Sequence, residues 1–137
     1  MGTVLFILCA LGNAAVAILH VVIVFRGAPG YRAFGAGETL ATLAEKGSPL
    51  PALLTLGIAA VLAAFTAWAL SAAGLFTLPF TQSAVLGIAS IYTLRGLLLG
   101  AAPFMKLSRF DAISSAISLA LGLMHFVAVW AQNGVPH

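Results

Sequence analysis

Arg95 is the one charged residue deep inside a long apolar stretch of this sequence. A guanidinium in hydrocarbon costs at least about 2.5 kcal/mol, so Arg95 is not expected to face lipid unaided. The pattern predicts a site for an anion or a lipid headgroup, or one half of a switchable ion pair. The alternative is an arginine hydrogen-bonded to helix carbonyls or paired with Glu38.

Three further polar residues lie in apolar stretches and could contribute to such a site. Tyr92 precedes Arg95 by three residues and shares its helix face. Its hydroxyl either contacts the same ligand or anchors a neighbouring backbone. His20 follows Asn13 by one heptad, so these two residues also share a face. For His20 the alternatives are ligand contact, proton relay or a hydrogen bond between helices.

The first long loop supplies three more candidates for a ligand site. Glu38 follows a flexible glycine-rich segment and is the expected partner of Arg95. Its alternative role is that of a first-turn glutamate that complements a helix dipole. Tyr31 and Arg32 either complete a pocket that faces the bundle or anchor the loop at the membrane interface.

His125 shares a face with Ser114 and Ser118, and we expect all three to form polar contacts between helices. Together with Asn13, His20, Tyr92 and Arg95, they predict a polar stripe across three helices. The two histidines differ in predicted depth by about 13 Å, which is too far for one haem iron to bind both. No cysteine and histidine cluster has zinc spacing. We therefore expect no cofactor and no metal.

Composition places these residues in a membrane protein. The chain has 137 residues, of which 62% are hydrophobic and only 7% are charged. Soluble domains carry about 25% charged residues, so a soluble fold of this composition would expose apolar surface almost everywhere. The net charge of +3 comes from six basic and three acidic residues and does not indicate nucleic acid binding. A single cysteine excludes an internal disulfide.

Four stretches are long enough to cross a bilayer, which takes about 20 apolar residues. They predict an all-α membrane protein, a single domain with four transmembrane helices in an antiparallel bundle, at about residues 3–25, 49–73, 80–102 and 109–132. Ser48 and Pro49 are typical of a helix start, and Ser108 with Asp111 predicts a capping box. In the first loop, the glycine-rich segment 27–37 is not expected to form a regular helix. A short amphipathic helix is predicted at about 38–46.

The charges in the loops predict an orientation. The predicted side of the membrane with both termini has no charged residue. Five of the six basic residues lie in or beside the loops 26–48 and 103–108 on the other side: Arg26, Arg32, Lys46, Lys106 and Arg109. Basic residues in short loops are retained in the cytoplasm. We therefore expect both loops to be cytoplasmic and both termini to lie outside, in a bacterial inner membrane.

Rows of small residues predict close contacts between the helices. They occur at spacing four in the second, third and fourth stretches: Thr55, Ala59, Ala63, Ala67 and Ser71; Gly96 and Gly100; Ala112, Ala116 and Ala120; Ser114, Ser118 and Gly122. Such rows either pack within the chain or face a second subunit, so a homo-oligomer or a subunit of a membrane complex is expected.

Three functions fit these features. The favoured one is the binding or transport of a small anionic or amphipathic ligand in a cytoplasm-facing polar cavity around Arg95, with the first loop as a lid. The second is an accessory or assembly subunit in which Arg95 pairs with a partner chain. The chain has no nucleotide-binding motif, which excludes a primary pump within it, and no nucleophile elbow.

The third is a membrane enzyme. The size, the four spans, the outside termini and the long first cytoplasmic loop resemble the MAPEG family of glutathione- and lipid-handling enzymes. That resemblance implies a lipophilic substrate. The Arg-x-x-Asn-x-x-Glu pattern of that family is absent around the second stretch, so no catalytic residue carries over and an enzyme is the less favoured reading.

Overall fold

The chain is all α-helical in the computed structural model, which describes residues 1–100 and 108–134. Six helices follow one another in these residues: α1 Gly2–Arg26, α2 Ala28–Ala33, α3 Glu38–Glu45, α4 Leu50–Ala72, α5 Thr81–Gly100 and α6 Arg109–Asn133. Three of them, α1, α4 and α6, are long and apolar enough to cross a membrane. The predicted membrane location is supported on this ground. A crossing by α5 and a four-helix bundle stay predictions, and most of the predicted loop 103–108 lies outside the described residues.

Local sequence signals set the ends of the helices. The predicted capping box opens α6: the Ser108 hydroxyl accepts from the Asp111 amide at 3.1 Å, and the Asp111 carboxylate accepts from the Ser108 amide at 3.0 Å. At the start of α4, the Ser48 hydroxyl accepts from the Leu50 amide at 3.3 Å. Gly74 follows α4 with φ +88°, a backbone conformation that glycine adopts without steric cost.

The expectation that segment 27–37 contains no regular helix is wrong, because α2 occupies Ala28–Ala33. Gly27 ends α1 with φ +60°, and Pro29 lies in the first turn of α2. Proline is well suited to that turn, since its fixed φ is helical and the amide that it lacks would have no helical partner there. The glycines that do break the helix are Gly35 and Gly37, both with positive φ.

The chain divides into two compact units, Met1–Gly12 with Phe65–His137, and Asn13–Ala64, and α1 and α4 contribute to both. In the Asn13–Ala64 unit, α2 packs against α3. Its core consists of apolar residues from α1, α2 and α3: Ile23, Ala28, Tyr31 and Ala41. The face of α3 that carries Ala41 is therefore buried, whereas Glu45 is exposed, as the predicted amphipathic helix requires.

In the other unit, α1 and α5 both run antiparallel to α6. Gly2 lies against Gln132 and Gly12 against Leu121, whereas Gly96 lies against Leu119. The core between these segments is apolar and includes the end of α4: Phe6, Cys9, Ala10, Ala69, Ala72, Ala73, Val85 and Ala128. This unit carries five of the seven residues of the predicted polar stripe: Tyr92, Arg95, Ser114, Ser118 and His125.

Two glycines allow α5 and α6 to lie close together. A Cβ atom added at Gly96 would lie 2.7 Å from the Leu119 Cβ, and one added at Gly122 would lie 2.7 Å from the Thr93 amide nitrogen. Both positions belong to the small-residue rows that predict close helix contacts. Of the two rows on α6, the one that ends at Gly122 faces α5, whereas its alanine row is exposed.

Candidate functional site

Arg95 reaches from α5 to α6 and holds two serines there. Its Nη1 donates to the Ser118 hydroxyl at 2.7 Å and to the Ser114 carbonyl at 3.2 Å, and its Nη2 donates to the Ser114 hydroxyl at 3.5 Å. Arg95 precedes Gly96, one of the two points of close contact between the helices, and its side chain meets α6 directly. Arg95, Ser114 and Ser118, three members of the predicted polar stripe, are therefore in contact.

Arg95 is exposed on the surface of its unit, whereas the sequence predicts that it lies in a polar cavity open towards the cytoplasm. Within the described residues, its Nε–H and one Nη2–H have no acceptor, and no carboxylate forms an ion pair with it. Asp111 at the start of α6 is close enough to attract it electrostatically. The guanidinium is therefore fixed on one edge by α6 and open on the other.

The expected partner of Arg95, Glu38, is engaged elsewhere. Arg32 donates to both Glu38 carboxylate oxygens, through Nε at 3.0 and 3.1 Å and Nη2 at 2.6 Å. Arg32 Nη1 donates to Glu45 at 2.6 Å. These hydrogen bonds lower the pKa of both glutamates and raise that of Arg32. Because Arg32 joins α2 to both ends of α3, the expected Arg95–Glu38 pair is replaced by an ion-pair triad within the first loop.

Tyr31 is a core residue of the loop rather than part of an open pocket. It is 2% exposed, and its hydroxyl has no hydrogen-bond partner among the described residues. Neighbouring Arg32 points the other way, to the exposed triad. Tyr31 and Arg32 therefore stabilise the packing of α2 against α3. Their contacts do not support the pocket that the sequence predicts from these two residues.

Tyr92 and His125 meet inside the contact between α5 and α6. Their ring centroids are 6.0 Å apart, and the edge of Phe65 contacts the Tyr92 ring with a centroid distance of 5.9 Å. His125 is fully buried, and its Nδ1 lies 2.8 Å from the Leu121 carbonyl. Since a carbonyl only accepts, Nδ1 carries the hydrogen and Nε2 of the neutral ring is a bare acceptor. That Nε2 has no partner in the part of the chain described.

Asn13 and His20 belong to the Asn13–Ala64 unit. Asn13 is fully buried, and His20 is half-buried with its Nδ1 2.8 Å from the Val16 carbonyl of the same helix. Of the predicted polar stripe, the structure brings together Arg95 with two serines and Tyr92 with His125. The hydrogen bond of His20 to Val16 lies within α1 and is none of the three roles expected for this histidine.

Sequence reasoning missed a polar cleft in the unit that contains Arg95. It lies where the end of α4, the start of α5 and the end of α6 meet, and it encloses about 230 Å³. Its lining is half polar and carries no charge: Ser71, Ala72, Thr81, Gln82, Val85, Val129, Gln132 and Asn133. A usable signal was present, since the chain has four carboxamide side chains and three of them line this cleft.

The Asn13–Ala64 unit has a groove of a different kind. It lies between α1 and α4 and has a volume of about 540 Å³. Its lining is entirely apolar: Ala17, Ile18, Val21, Val22, Phe25, Leu56, Ala59, Ala60 and Ala63. A groove of this composition is a surface suited to lipid tails or to another apolar helix, and it offers no polar group to a ligand.

The chain matches no family model, no curated protein and no solved structure. Across residues 1–100 and 108–134, no three histidine, cysteine, aspartate or glutamate side chains are grouped as a metal site requires. The candidate ligand-binding group is the Arg95 guanidinium, because two serines of α6 hold one edge of it and the other edge is exposed.

Proposed function

We propose that this chain is a small polytopic membrane protein that binds the phosphate of an anionic amphipathic ligand, such as a lipid headgroup, at Arg95. The observation that carries the proposal is the guanidinium itself. It is held by α6 on one side, exposed on the other, and placed among apolar residues in the second half of α5. The proposed primary activity is binding. Transport of the same ligand is a proposed second step, because an exposed Arg95 would allow the ligand to enter and leave the site.

The energetics favour an anionic partner. Arg95 is level with Ser114 and Ser118, about 8–14 Å along α6 from its first residue. At such a depth an arginine costs at least about 2.5 kcal/mol, and two serines offset only part of this because they are neutral. A phosphate oxygen pair matches the two open N–H groups in a bidentate geometry and supplies the missing charge.

The surroundings of Arg95 fit an amphipathic ligand better than a free ion. The exposed surface of α5 next to Arg95 is apolar, with Ile91, Leu94 and Leu97 each more than half exposed. Acyl chains can lie along these side chains while the headgroup meets the guanidinium. The arginine stem, which is itself apolar, extends the charge towards the headgroup region.

The proposed arrangement includes α5 as a fourth crossing helix. With four crossings, the loops 26–48 and 103–108 share one side of the membrane, and the distribution of basic residues makes that side cytoplasmic. Both termini are then outside, in a bacterial inner membrane. Arg95 lies in the half of the membrane nearer to the cytoplasm, which is where a ligand from the inner leaflet would reach it.

A second candidate function is that of an assembly subunit, and one observation favours it. Gly87 on α5 is exposed, and a Cβ added there would meet nothing within 4 Å. Ser83 and Ser90 are exposed as well and, with Gly87, form a small-residue face of the type that packs against another helix. A partner helix on this face could present a carboxylate to Arg95 in place of a lipid phosphate.

Solution NMR of the protein in micelles tests the proposal. The Arg95 Nε–H resonance and the backbone amide resonances of Ser114 and Ser118, which are present in every variant, are followed during titration. The titrants are dihexanoyl phosphatidic acid, dihexanoylglycerol, which lacks the phosphate, and inorganic phosphate. We expect saturable shifts with phosphatidic acid and weaker ones with free phosphate. A charge-assisted hydrogen-bond pair is worth about 1.5–3 kcal/mol, so Arg95→Gln should weaken binding roughly 10- to 100-fold.

The matched control is Arg109→Gln, which removes an exposed arginine at the start of α6 and should leave the affinity nearly unchanged. Arg95→Lys keeps the charge without the planar fork and should be intermediate. Equal binding of dihexanoylglycerol, or unchanged affinity in Arg95→Gln, would refute the ligand. A membrane partner that co-purifies with the chain and is lost in Arg95→Gln would establish the assembly role instead.

A further inference from the structure

The cleft at the junction of α4, α5 and α6 is a second polar site, independent of Arg95. It adjoins Gln132, whereas Arg95 contacts Ser114 and Ser118, so the two sites are about 24 Å apart along α6. We infer that this cleft binds a small uncharged polyol, either a free sugar or the sugar or glycerol portion of a lipid headgroup.

One wall of the cleft is held rigid by a closed hydrogen-bond network. Thr81 donates its hydroxyl hydrogen to the Leu78 carbonyl at 2.8 Å. Ser71, which lies 2.8 Å from the Thr81 oxygen, therefore donates to it, and Ser71 in turn accepts from the Leu78 amide at 3.0 Å. Each hydroxyl hydrogen has an acceptor. The two hydroxyl groups shape the cleft and have no hydrogen left to donate to a ligand.

The groups that are available are carboxamides. Gln132 Nε2 donates to the Ala72 carbonyl at 3.0 Å, which orients the side chain and leaves its oxygen open. The side chains of Gln82 and Asn133 make no hydrogen bond to any described residue, and both residues are exposed. The fourth carboxamide, Asn13, is fully buried in the other unit. The cleft thus concentrates most of this side-chain type in one place.

This set of groups selects a class of ligand. A carboxamide both donates and accepts, which matches neighbouring hydroxyl groups that also do both. A charged ligand would find no countercharge in the lining, and an apolar ligand would leave the amides without partners at a cost of about 1–3 kcal/mol each. Ala72, Val85 and Val129 form an apolar part of the lining, against which the C–H face of a polyol can pack.

Size and position agree with this class. At about 30 Å³ per water molecule, 230 Å³ equals roughly eight waters, enough for a glycerol or a single sugar ring. The cleft lies at helix ends, next to the exposed aromatic rings of Phe80 and Trp130. Aromatic rings of this kind are enriched at the level of lipid headgroups, so a headgroup polyol and a dissolved sugar can both reach the cleft.

The carboxamide NH₂ resonances provide a direct test on the intact protein. Methyl glucoside is titrated into the protein in micelles, and methyl glucuronide, the same ring with a carboxylate, serves as the charged comparison. For the lipid source, spectra in phosphatidylcholine nanodiscs are compared with and without glucosyl diacylglycerol. We expect saturable shifts of Gln82, Gln132 and Asn133, with Asn13 unchanged as an internal reference.

The variant Gln82→Leu removes one carboxamide at nearly constant volume and should weaken binding about 3- to 10-fold. Ser83→Ala changes the adjacent exposed residue, which does not line the cleft, and should have no effect. Shifts with the free glucoside identify a soluble polyol, and shifts only with the glycolipid identify a headgroup. The inference fails if neither causes saturable shifts, if methyl glucuronide binds equally well, or if Gln82→Leu binds as the unmodified chain does.

Discussion

The close contact of α5 with α6 at Gly96 can be tested with a single methyl group. A Cβ at position 96 would lie 2.7 Å from the Leu119 Cβ and 2.9 Å from its Cα and amide nitrogen. Carbon atoms pack at about 3.5–4.0 Å, so Gly96→Ala must separate the helices by roughly 0.8 Å or more. The neighbour includes backbone, which cannot rotate away. Overpacking of this kind costs about 1–3 kcal/mol.

Gly87→Ala on the same helix is the matched control, because a Cβ there meets nothing within 4 Å. Both substitutions gain the same helix propensity, about 1 kcal/mol, so the difference between the two variants isolates the packing cost. We expect Gly96→Ala to be less stable than Gly87→Ala by about 1–3 kcal/mol. The free energy of unfolding is measured by titrating dodecyl sulfate into monomeric protein in mild micelles.

Equal stability of the two variants would refute the close contact at Gly96. Destabilisation by Gly87→Ala alone, in an oligomeric preparation, would show instead that the exposed α5 face is covered by another chain. A Cβ at Gly122 would also collide with α5, at the Thr93 side chain and amide nitrogen. Gly122→Ala should therefore resemble Gly96→Ala in sign.

Three further predictions concern stability. Ser108→Ala removes the N-cap of α6 and should lower the free energy of unfolding by about 1 kcal/mol in the same assay. Ser108→Asp keeps a side chain that can cap the helix and should retain most of the stability. Arg32 lowers the pKa of Glu38 and of Glu45. The stabilisation of α3 by the triad is therefore complete above the ordinary glutamate pKa of about 4.3 and disappears as the pH falls through the lower pKa values of the folded protein. Hydrogen-exchange protection of α3 should decrease over that acidic range, and Arg32→Ala should abolish this pH dependence. His125→Leu removes the Nε2 acceptor and the Nδ1 hydrogen bond to the Leu121 carbonyl at similar volume, and should cost no more than about 1.5 kcal/mol, the net contribution of one hydrogen bond. A loss above roughly 3 kcal/mol would mean that Nε2 has a partner.

Features decided by neighbouring residues were predictable from the sequence. The capping box at Ser108 requires only Asp111 three residues later, and the apolar length of α1, α4 and α6 follows from composition. The missed helix α2 is also local in origin. Pro29 lies between Ala28 and Gly30, and proline beside glycine usually predicts the end of a helix. The same proline is favourable in the first turn of a new helix.

Features decided by residues distant in the sequence were not predictable. The partner of Glu38 depends on how α2 packs against α3. Arg32, six residues before Glu38 in the sequence, forms the ion pair expected of Arg95. The exposure of Arg95 depends on which face of α5 packs against α6. The cleft requires Gln82 and Gln132, fifty residues apart, to meet at the ends of different helices.

The hydrogen bonds from Arg95 to α6 have a consequence for membrane insertion. In the four-span arrangement, α5 leaves the ribosome first, with a guanidinium whose partners Ser114 and Ser118 have not yet been made. Alone, α5 must place that charge in hydrocarbon unaccompanied. The helix becomes a favourable membrane segment once α6 is beside it. Insertion of the second half of this protein is thus expected to proceed as a helical hairpin, with the commitment of α5 to the bilayer delayed until α6 has been synthesised.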